Sequence, residues 1–415
     1  MVGWLHFFKP QTPATSHKKG DHFVGDCYVA FERAYKVQVE SLIAQGLSEE
    51  EALTQAPLFQ EAQALLRRWE AGDRETHQLW QRMNSWVYEG FEETFRRLGV
   101  RFDKIYYESE TYQLGKAIVQ EGLQKGLFEQ MPDGSVWADL TNEGLGRKVL
   151  LRRDGTSVYI TQDLGTADLR YQDYPHFTHA VYVIGNEQDH HMRVLSALLR
   201  RLGRPYAQAI YHLSYGMVEL PTGRMKTREG TVVDADDLLN EMRFRALELL
   251  DEGLPAALRE PTAEAIAQAA IRFYLLRVEP VKAITFDPAE SIDLKGFTGP
   301  FLQYGYVRAR RLREKAPPLA QPIEIPPLQP EEALLLRQLY GLPTFLEAAA
   351  LSYNPALLAH YGHELTQRYN EFYQKLPVLK ADERTKQFRL ALSYAYEVAI
   401  QAVLEALHIP LVEWM

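Results

Sequence analysis

The spacing of apolar positions changes twice along this chain. From about residue 31 to 98 it is helical, with Leu65, Leu66 and Trp69 followed by Trp80, Met83, Val87 and Phe91. That stripe predicts helix after helix, with its aromatic residues packed between helices rather than around a ligand. Residues 1–30, with Pro10, Pro13 and a glycine-flanked segment at 20–26, read as irregular. Between about 102 and 235, short apolar runs alternate with helical stretches. Residues 102–107 predict a buried strand and 111–125 a helix, while Asp133–Gly134 and Asp154–Gly155 mark hairpin turns. The run AVYVI at 180–184 has the continuous apolar character of a strand in a parallel sheet; 195–202 is its following helix and 212–218 a further strand. Residues 236–290 return to helices. A proline-rich linker at 317–330 then separates an arginine-rich helix from a terminal bundle.

A length of 415 residues predicts more than one domain, and 46% apolar with 24% charged residues is a globular composition. No apolar run reaches the length of a membrane span, and residues 1–20 lack the apolar core of a signal peptide. Cys27 is the only cysteine, which excludes an intrachain disulfide and a cysteine-based zinc site. Together these features lead to the expectation of a cytoplasmic enzyme without a membrane partner. The net charge of −9 argues against wholesale coating of nucleic acid but leaves room for a local basic face. The densest basic cluster is Arg308, Arg310, Arg311, Arg313 and Lys315, in which Arg308, Arg311 and Lys315 share one helix face. By itself such a face reads as solvated charge.

Three places carry candidate chemistry. The first is GRMKTREG at 223–230, a dense cationic turn between glycines that can set Lys226 and Arg228 on a polyphosphate. The second is Thr156 and Ser157, read as helix-capping residues, followed by Tyr159 and Asp163 at i and i+4 on one helix face. A carboxylate beside a phenol suits a guanidinium, although an aspartate in a first helical turn is also what the helix dipole favours. The third is the loop after 180–184, with Gln188, Asp189, His190 and His191, where ligands of open α/β sheets bind. Adjacent histidines project in different directions and no third ligand stands at metal spacing, so no metal site is expected and ATP contact by His191 is favoured.

In order along the chain stand GTSVYITQD at 155–163, YVIGNEQ at 182–188, YGMV at 215–218, MKTR at 225–228 and SIDLKGFTGPFLQY at 291–304. With this series the chain resembles the arginyl-tRNA synthetases of class I over nearly its whole length, through Tyr369, Tyr373 and Met415. The resemblance implies an α/β fold, an incomplete Rossmann-type parallel sheet with helical insertions, followed by an all-α anticodon-binding bundle. It implies that Tyr159, Asp163 and Gln188 hold arginine, with Asp163 on the guanidinium. The backbone of Gly216, Met217 and Val218 would hold adenine. His191 and the catalytic Lys226 and Arg228 would meet the phosphates of ATP, with Mg²⁺ on those phosphates. Tyr369, Tyr373 and Met415 would line the anticodon stack of tRNA(Arg), and the expected state is a monomer. The implied reaction activates arginine as arginyl-adenylate and transfers it to tRNA.

The family's His-X-Gly-His signature is expected early in the nucleotide fold, whereas this chain carries those letters at His360, Tyr361, Gly362 and His363, inside a helical stretch. The expectation is that this tetrapeptide is a coincidence. A second expectation is that the chain is the C-terminal part of a longer synthetase, inactive or nearly so alone. A non-catalytic relative that keeps RNA binding is the alternative. The implied domains are 1–235 (catalytic, with insertions at about 31–98 and 113–155), 236–290 (a helical stem-contact segment) and 291–415 (a DALR-type anticodon-binding domain).

Overall fold

The computed structural model describes residues 1–111, 114–219, 221, 234–251, 253–319 and 321–415. It divides into two compact units, residues 1–103 with 224–238, and residues 104–223 with 239–415.

The first unit is helical, built from α1 (Gly20–Ala44), α2 (Glu49–Gln55), α3 (Pro57–Glu70) and α4 (Arg74–Arg97). Residues 1–30 are not irregular as expected. A π-helical turn at Trp4–Phe8 and a short helix at Pro13–Ser16 precede α1, which begins at Gly20. Gly20 misled the sequence reading because it serves packing rather than a turn. A Cβ there would lie 1.9 Å from the Trp86 carbonyl oxygen, so glycine lets α1 approach α4. The core holds Trp4, Phe23, Cys27 and Met83, with Trp86 edge-on to Trp4 and Phe23. Burial pushes the Cys27 thiol up to about 11. On α4 the packed face is Met83, Trp86 and Gly90, while Phe91, placed on the stripe by spacing, is 45% exposed. A polar network joins the start of α1 to the far end of the unit. The Lys19 ammonium donates to Asp21 (2.9 Å), Thr94 (2.5 Å) and Asp236 (2.5 Å), and His22 Nε2 lies 2.8 Å from the Asp234 carboxylate. Asp21, His22 and Asp236 could in principle gather round a metal ion, but the Lys19 ammonium already stands among them.

The second unit includes α5 (Leu114–Gln124) and an antiparallel sheet of β1 (Glu129–Gln130), β2 (Val136–Leu140) and β3 (Gly146–Leu151). The predicted Asp133–Gly134 turn joins β1 to β2, a 3₁₀ turn at Thr141–Glu143 joins β2 to β3, and the predicted Asp154–Gly155 turn follows β3. Next come α6 (Tyr159–Asp173), β4 (Ala180–Gly185), α7 (Asp189–Arg201) and β5 (Ile210–Tyr215), a strand–helix–strand crossover with β4 and β5 parallel and in register from Ala180↔Ile210 to Gly185↔Tyr215. The strand expected at 102–107 does not form. Phe102 and Ile105 are 53% and 51% exposed, and no described strand offers a ladder. That stretch is tied down by side chains instead, Lys104 and Tyr106 both donating to Asp173. β4 is buried on one face only. Tyr182 and Ile184 pack toward the core formed with Leu195 and Leu198, while Val183 is 61% exposed. Under this layer Arg204 forms a two-pronged pair with Glu121 (3.0 and 2.8 Å) and reaches Asp168 (2.8 Å). The Arg204 guanidinium, helped by Lys125, holds the Glu121 carboxyl down at about 2.

Beyond β6 (Val218–Glu219) follow α8 (Ala235–Leu249), α9 (Ala256–Leu276) and β7 (Ile284–Thr285), which pairs parallel with β6. The terminal bundle comprises α10 (Gly299–Lys315), α11 (Pro330–Tyr340), α12 (Leu342–Leu351), α13 (Pro355–Lys375) and α14 (Glu383–Ala406), with the proline-rich 317–329 between α10 and α11. The centre of α13 and α14 is aromatic, with Tyr369 stacked flat on Tyr396 at 3.8 Å. Glu332 and Arg389 form a fully buried ion pair (2.7 Å) inside this bundle. His360 to His363 lie within α13, where Tyr361 and Gly362 are buried and His363 packs on Phe297 and Phe301. Burial lowers the affinity of His363 for a proton.

Candidate active site

The carboxyl ends of β4 and β5 carry the cluster of predicted residues. Thr156 does not cap α6. Its hydroxyl and amide both go to Asp154, closing the turn, and α6 starts at Tyr159 after an extended Val158. The turn thereby fixes where the helix begins, and Asp163 follows Tyr159 by one turn on the same face. Tyr159 is 74% exposed. At the other side, Gly185 ends β4 and a single 3₁₀ turn, Asn186–Gln188, leads into α7. The start of α7 is fixed by Asp189, whose carboxylate accepts from Ser214 on β5 (2.7 Å). Gln188 is exposed immediately before it.

This arrangement joins Asp163 to His191. The imidazole Nε2 lies 2.6 Å from Asp163 Oδ2, with the histidine side chain 28% and the carboxylate 45% exposed. The resemblance implied two separate roles, arginine for Asp163 and ATP for His191, and sequence spacing gave no sign that the two touch. The Asp189, His190 and His191 side chains do not converge. Asp189 turns to Ser214, His191 to Asp163, and His190 is exposed, its proton affinity lowered chiefly by Lys148.

Gly216 sits where β5 meets β6 and cannot carry a side chain, because a Cβ would fall 2.3 Å from the Lys282 carbonyl. Its N–H donates to Pro280 O (2.7 Å), and Met217 O accepts from Ile284 N–H (2.9 Å). Two of the backbone groups expected to hold adenine, the Gly216 N–H and the Met217 carbonyl, are therefore engaged within the protein. In a parallel ladder alternate residues point to opposite edges, so Val218 directs its own N–H and C=O away from β7. Met217 is 40% exposed, its sulfur about 4.0 Å from where a Gly185 Cβ would stand. Lys226 and Arg228 lie outside the described residues.

A second predicted surface lies on the bundle. Tyr369 is fully enclosed, stacked against Tyr396. Tyr373, one turn on, is 38% exposed with the Arg308 guanidinium 5.3 Å from its ring, and Arg308 also covers Tyr304 and donates to Asn370. Arg311 lies 4.2 Å over Trp414. Those two residues and Met415 line a cavity of about 230 Å³ with Leu250, Asp251 and Leu254. Arg310 and Arg313 pair instead with glutamates, Arg313 doubly with the buried Glu397 (2.7 and 2.9 Å). Of the cluster's four arginines, Arg310 and Arg313 are therefore neutralised by glutamates, and Arg308 and Arg311 lie over aromatic rings. Sequence reading missed Trp414, although a tryptophan beside the predicted Met415 was the available signal.

Among the described residues no helix is long and apolar enough to cross a membrane. Residues 33–287 match the family described as tRNA synthetases class I (R), catalytic domain, and residues 302–415 match the DALR anticodon binding domain. An arginine–tRNA ligase of Porphyromonas gingivalis is 49% identical over 405 residues, which is 95% of this chain and 68% of that protein. One from Flavobacterium psychrophilum is 47% identical over 421 residues, covering 100% of this chain and 70% of that protein. Among solved structures, the arginyl-tRNA synthetase of Thermus thermophilus has the same fold with a TM-score of 0.81 and 24% identity, over all of this chain and 73% of that one. A methionyl-tRNA synthetase of Mycobacterium tuberculosis shares the fold more distantly, with a TM-score of 0.55 and 13% identity over 82% of this chain and 81% of that one. On the catalytic-family match and relatives near half identical along its length, the chain belongs to the arginyl-tRNA synthetases of class I.

Proposed function

We propose that this chain works in arginine–tRNA ligation, with the guanidinium of arginine received by Asp163. The observation that carries this reading is a half-exposed carboxylate at the carboxyl end of a parallel strand pair, with exposed Tyr159 and Gln188 on the flanking elements. Asp163 accepts a charge-assisted hydrogen bond from the guanidinium, and the phenol and amide orient the planar cation. Held there, arginine's own carboxylate is the nucleophile. A bond forms between its oxygen and the α-phosphorus of ATP, and the bond to pyrophosphate breaks. The terminal ribose hydroxyl of tRNA(Arg) then attacks the activated carbonyl and AMP leaves. The protein's contribution is position and charge.

Adenine is assigned to the outward backbone of Val218 with the Met217 side chain beside it. Lys226 and Arg228 are assigned to the phosphates on their sequence context. Asp163 and Asp189 each already have a protein partner, so Mg²⁺ would be held by phosphate oxygens and water rather than by a carboxylate cage. Tyr373, Arg308, Arg311, Trp414 and Met415 are assigned to anticodon bases, where one stacked base contributes about 1–3 kcal/mol. A monomer in the cytoplasm completes the reading.

Calorimetric titration tests the assignment of Asp163. Arginine should bind at least about tenfold more tightly than its neutral isostere citrulline, and Asp163→Asn should remove the difference. Equal binding of the two by the unmodified chain would overturn the reading.

A further inference from the structure

We infer that His191 is a positioning residue for arginine, holding the Asp163 carboxylate in the orientation that receives the guanidinium. This rests on the assignment of Asp163 above and changes the expected place of His191, from the ATP side of the site to the arginine side. A carboxylate can only accept, so the 2.6 Å contact is an imidazole Nε2–H donating to Oδ2. With Oδ2 engaged, Oδ1 is the oxygen presented to a ligand. The His191 contact takes one lone pair of Oδ2 and sets the carboxylate plane, so the guanidinium meets chiefly Oδ1 and leaves its other N–H groups for Tyr159 and Gln188.

The histidine is itself set by the sheet. Asp189, two residues earlier, fixes the first turn of α7 to β5 through Ser214, and that turn carries His191. The order of support runs from Ser214 on β5 to Asp189, then His191, Asp163 and the ligand. Without His191 the carboxylate rotates among several orientations at a half-exposed site, and fixing it on binding costs entropy that the hydrogen bond has already removed.

The test measures arginine and ATP affinity separately by calorimetry on the whole chain, for the parent, His191→Phe and His191→Gln. Phenylalanine keeps the ring but not the donor, whereas glutamine places an N–H at similar reach. His191→Phe should weaken arginine roughly 10- to 100-fold with ATP within about twofold, and His191→Gln should recover most of the loss. Citrulline should be indifferent to all three. Loss of ATP affinity with arginine unchanged would overturn the inference and return His191 to the nucleotide, and so would a glutamine variant as weak as phenylalanine. If the parent binds arginine but Asp163→Asn binds it equally well, the assignment of Asp163 fails first and the inference falls with it. A phenylalanine variant that loses its fold by circular dichroism leaves His191→Gln against His191→Leu as the deciding pair, with the same outcomes.

Discussion

Replacing Glu332 by alanine should loosen the terminal bundle more than almost any other single change. The Glu332 side chain is 1% exposed and its partner Arg389 8%. One carboxylate oxygen receives Arg389 Nε at 2.7 Å, and the other accepts the Gln329 N–H at 2.7 Å, closing the cap of α11. Truncation removes both contacts. It leaves the Arg389 guanidinium, buried on α14, with its bond to Pro377 O. An uncompensated buried charge costs about 3–5 kcal/mol, and the lost cap about a further 1 kcal/mol. A typical domain is stable by only about 5–15 kcal/mol, so the change consumes much of the bundle's margin. In a chain with two compact units a single melting temperature mixes transitions, and hydrogen exchange by mass spectrometry is the better assay. Peptides from α11 and α14 should exchange roughly 10³ to somewhat over 10⁴ times faster, with α6 peptides unchanged. The double variant Glu332→Leu with Arg389→Met should recover most of the protection, because an apolar pair of similar volume is often neutral at such sites. Exchange within about threefold of the parent in Glu332→Ala would refute the argument that this pair is buried and unreplaced.

Gly216→Ala should push the 282–283 backbone away and break the Gly216–Pro280 hydrogen bond, costing about 1–3 kcal/mol and weakening ATP binding, read by calorimetry. ATP binding as tight as the parent's would detach β6 from the nucleotide. Glu121 ionises at about 2 in the folded chain and near 4.5 unfolded, so its pairing stabilises the fold fully above pH 4.5 and is lost as pH falls toward 2. Denaturant titrations at pH 6 and pH 3 should show the parent losing about 1–2 kcal/mol more than Glu121→Gln, a figure already reduced for screening of a one-third-exposed group. Trp414→Ala should weaken binding of an anticodon stem-loop RNA roughly 10- to 100-fold, while Tyr394→Ala, on another face of the bundle, should leave it alone. Equal losses in both would mean that the cavity beside Arg311 is not where bases stack.

The strand–helix–strand unit at 180–215 was legible in the sequence because one short apolar run, a helical interval and a second run leave few topologies, and the right-handed crossover removes the rest. The helices of 31–98 were equally plain from spacing. Misreadings arose where a residue's local preference and its tertiary use diverge. Gly20 reads as a breaker yet begins a 25-residue helix because Trp86 needs the room. Residues 102–107 look like a strand, but a strand exists only where a neighbour supplies its ladder. In the site, single residues were legible and pairings were not. Asp163 and Gln188 could be singled out from context, whereas the Asp163–His191 contact depends on how α6 and α7 lie together. The burial of Tyr369 was hidden for the same reason, since exposure belongs to the packed bundle and not to the four-residue spacing from Tyr373.

The bond from Lys19 to Asp236 spans 217 residues and lies within the first compact unit. On a ribosome, that unit is begun early and finished late. At roughly 5–20 residues per second, Lys19 and His22 wait on the order of ten to forty seconds before Asp234 and Asp236 are synthesised. During that interval the helices of residues 20–97 are already made, and the Lys19 ammonium can turn only to Asp21 and Thr94. The parallel strands β4 and β5, encoded between these partners, are complete before the helical unit that precedes them can close. The first unit thus spans the synthesis of much of the second, and a chain halted just after residue 223 carries both parallel strands while its first unit still lacks its last polar tie.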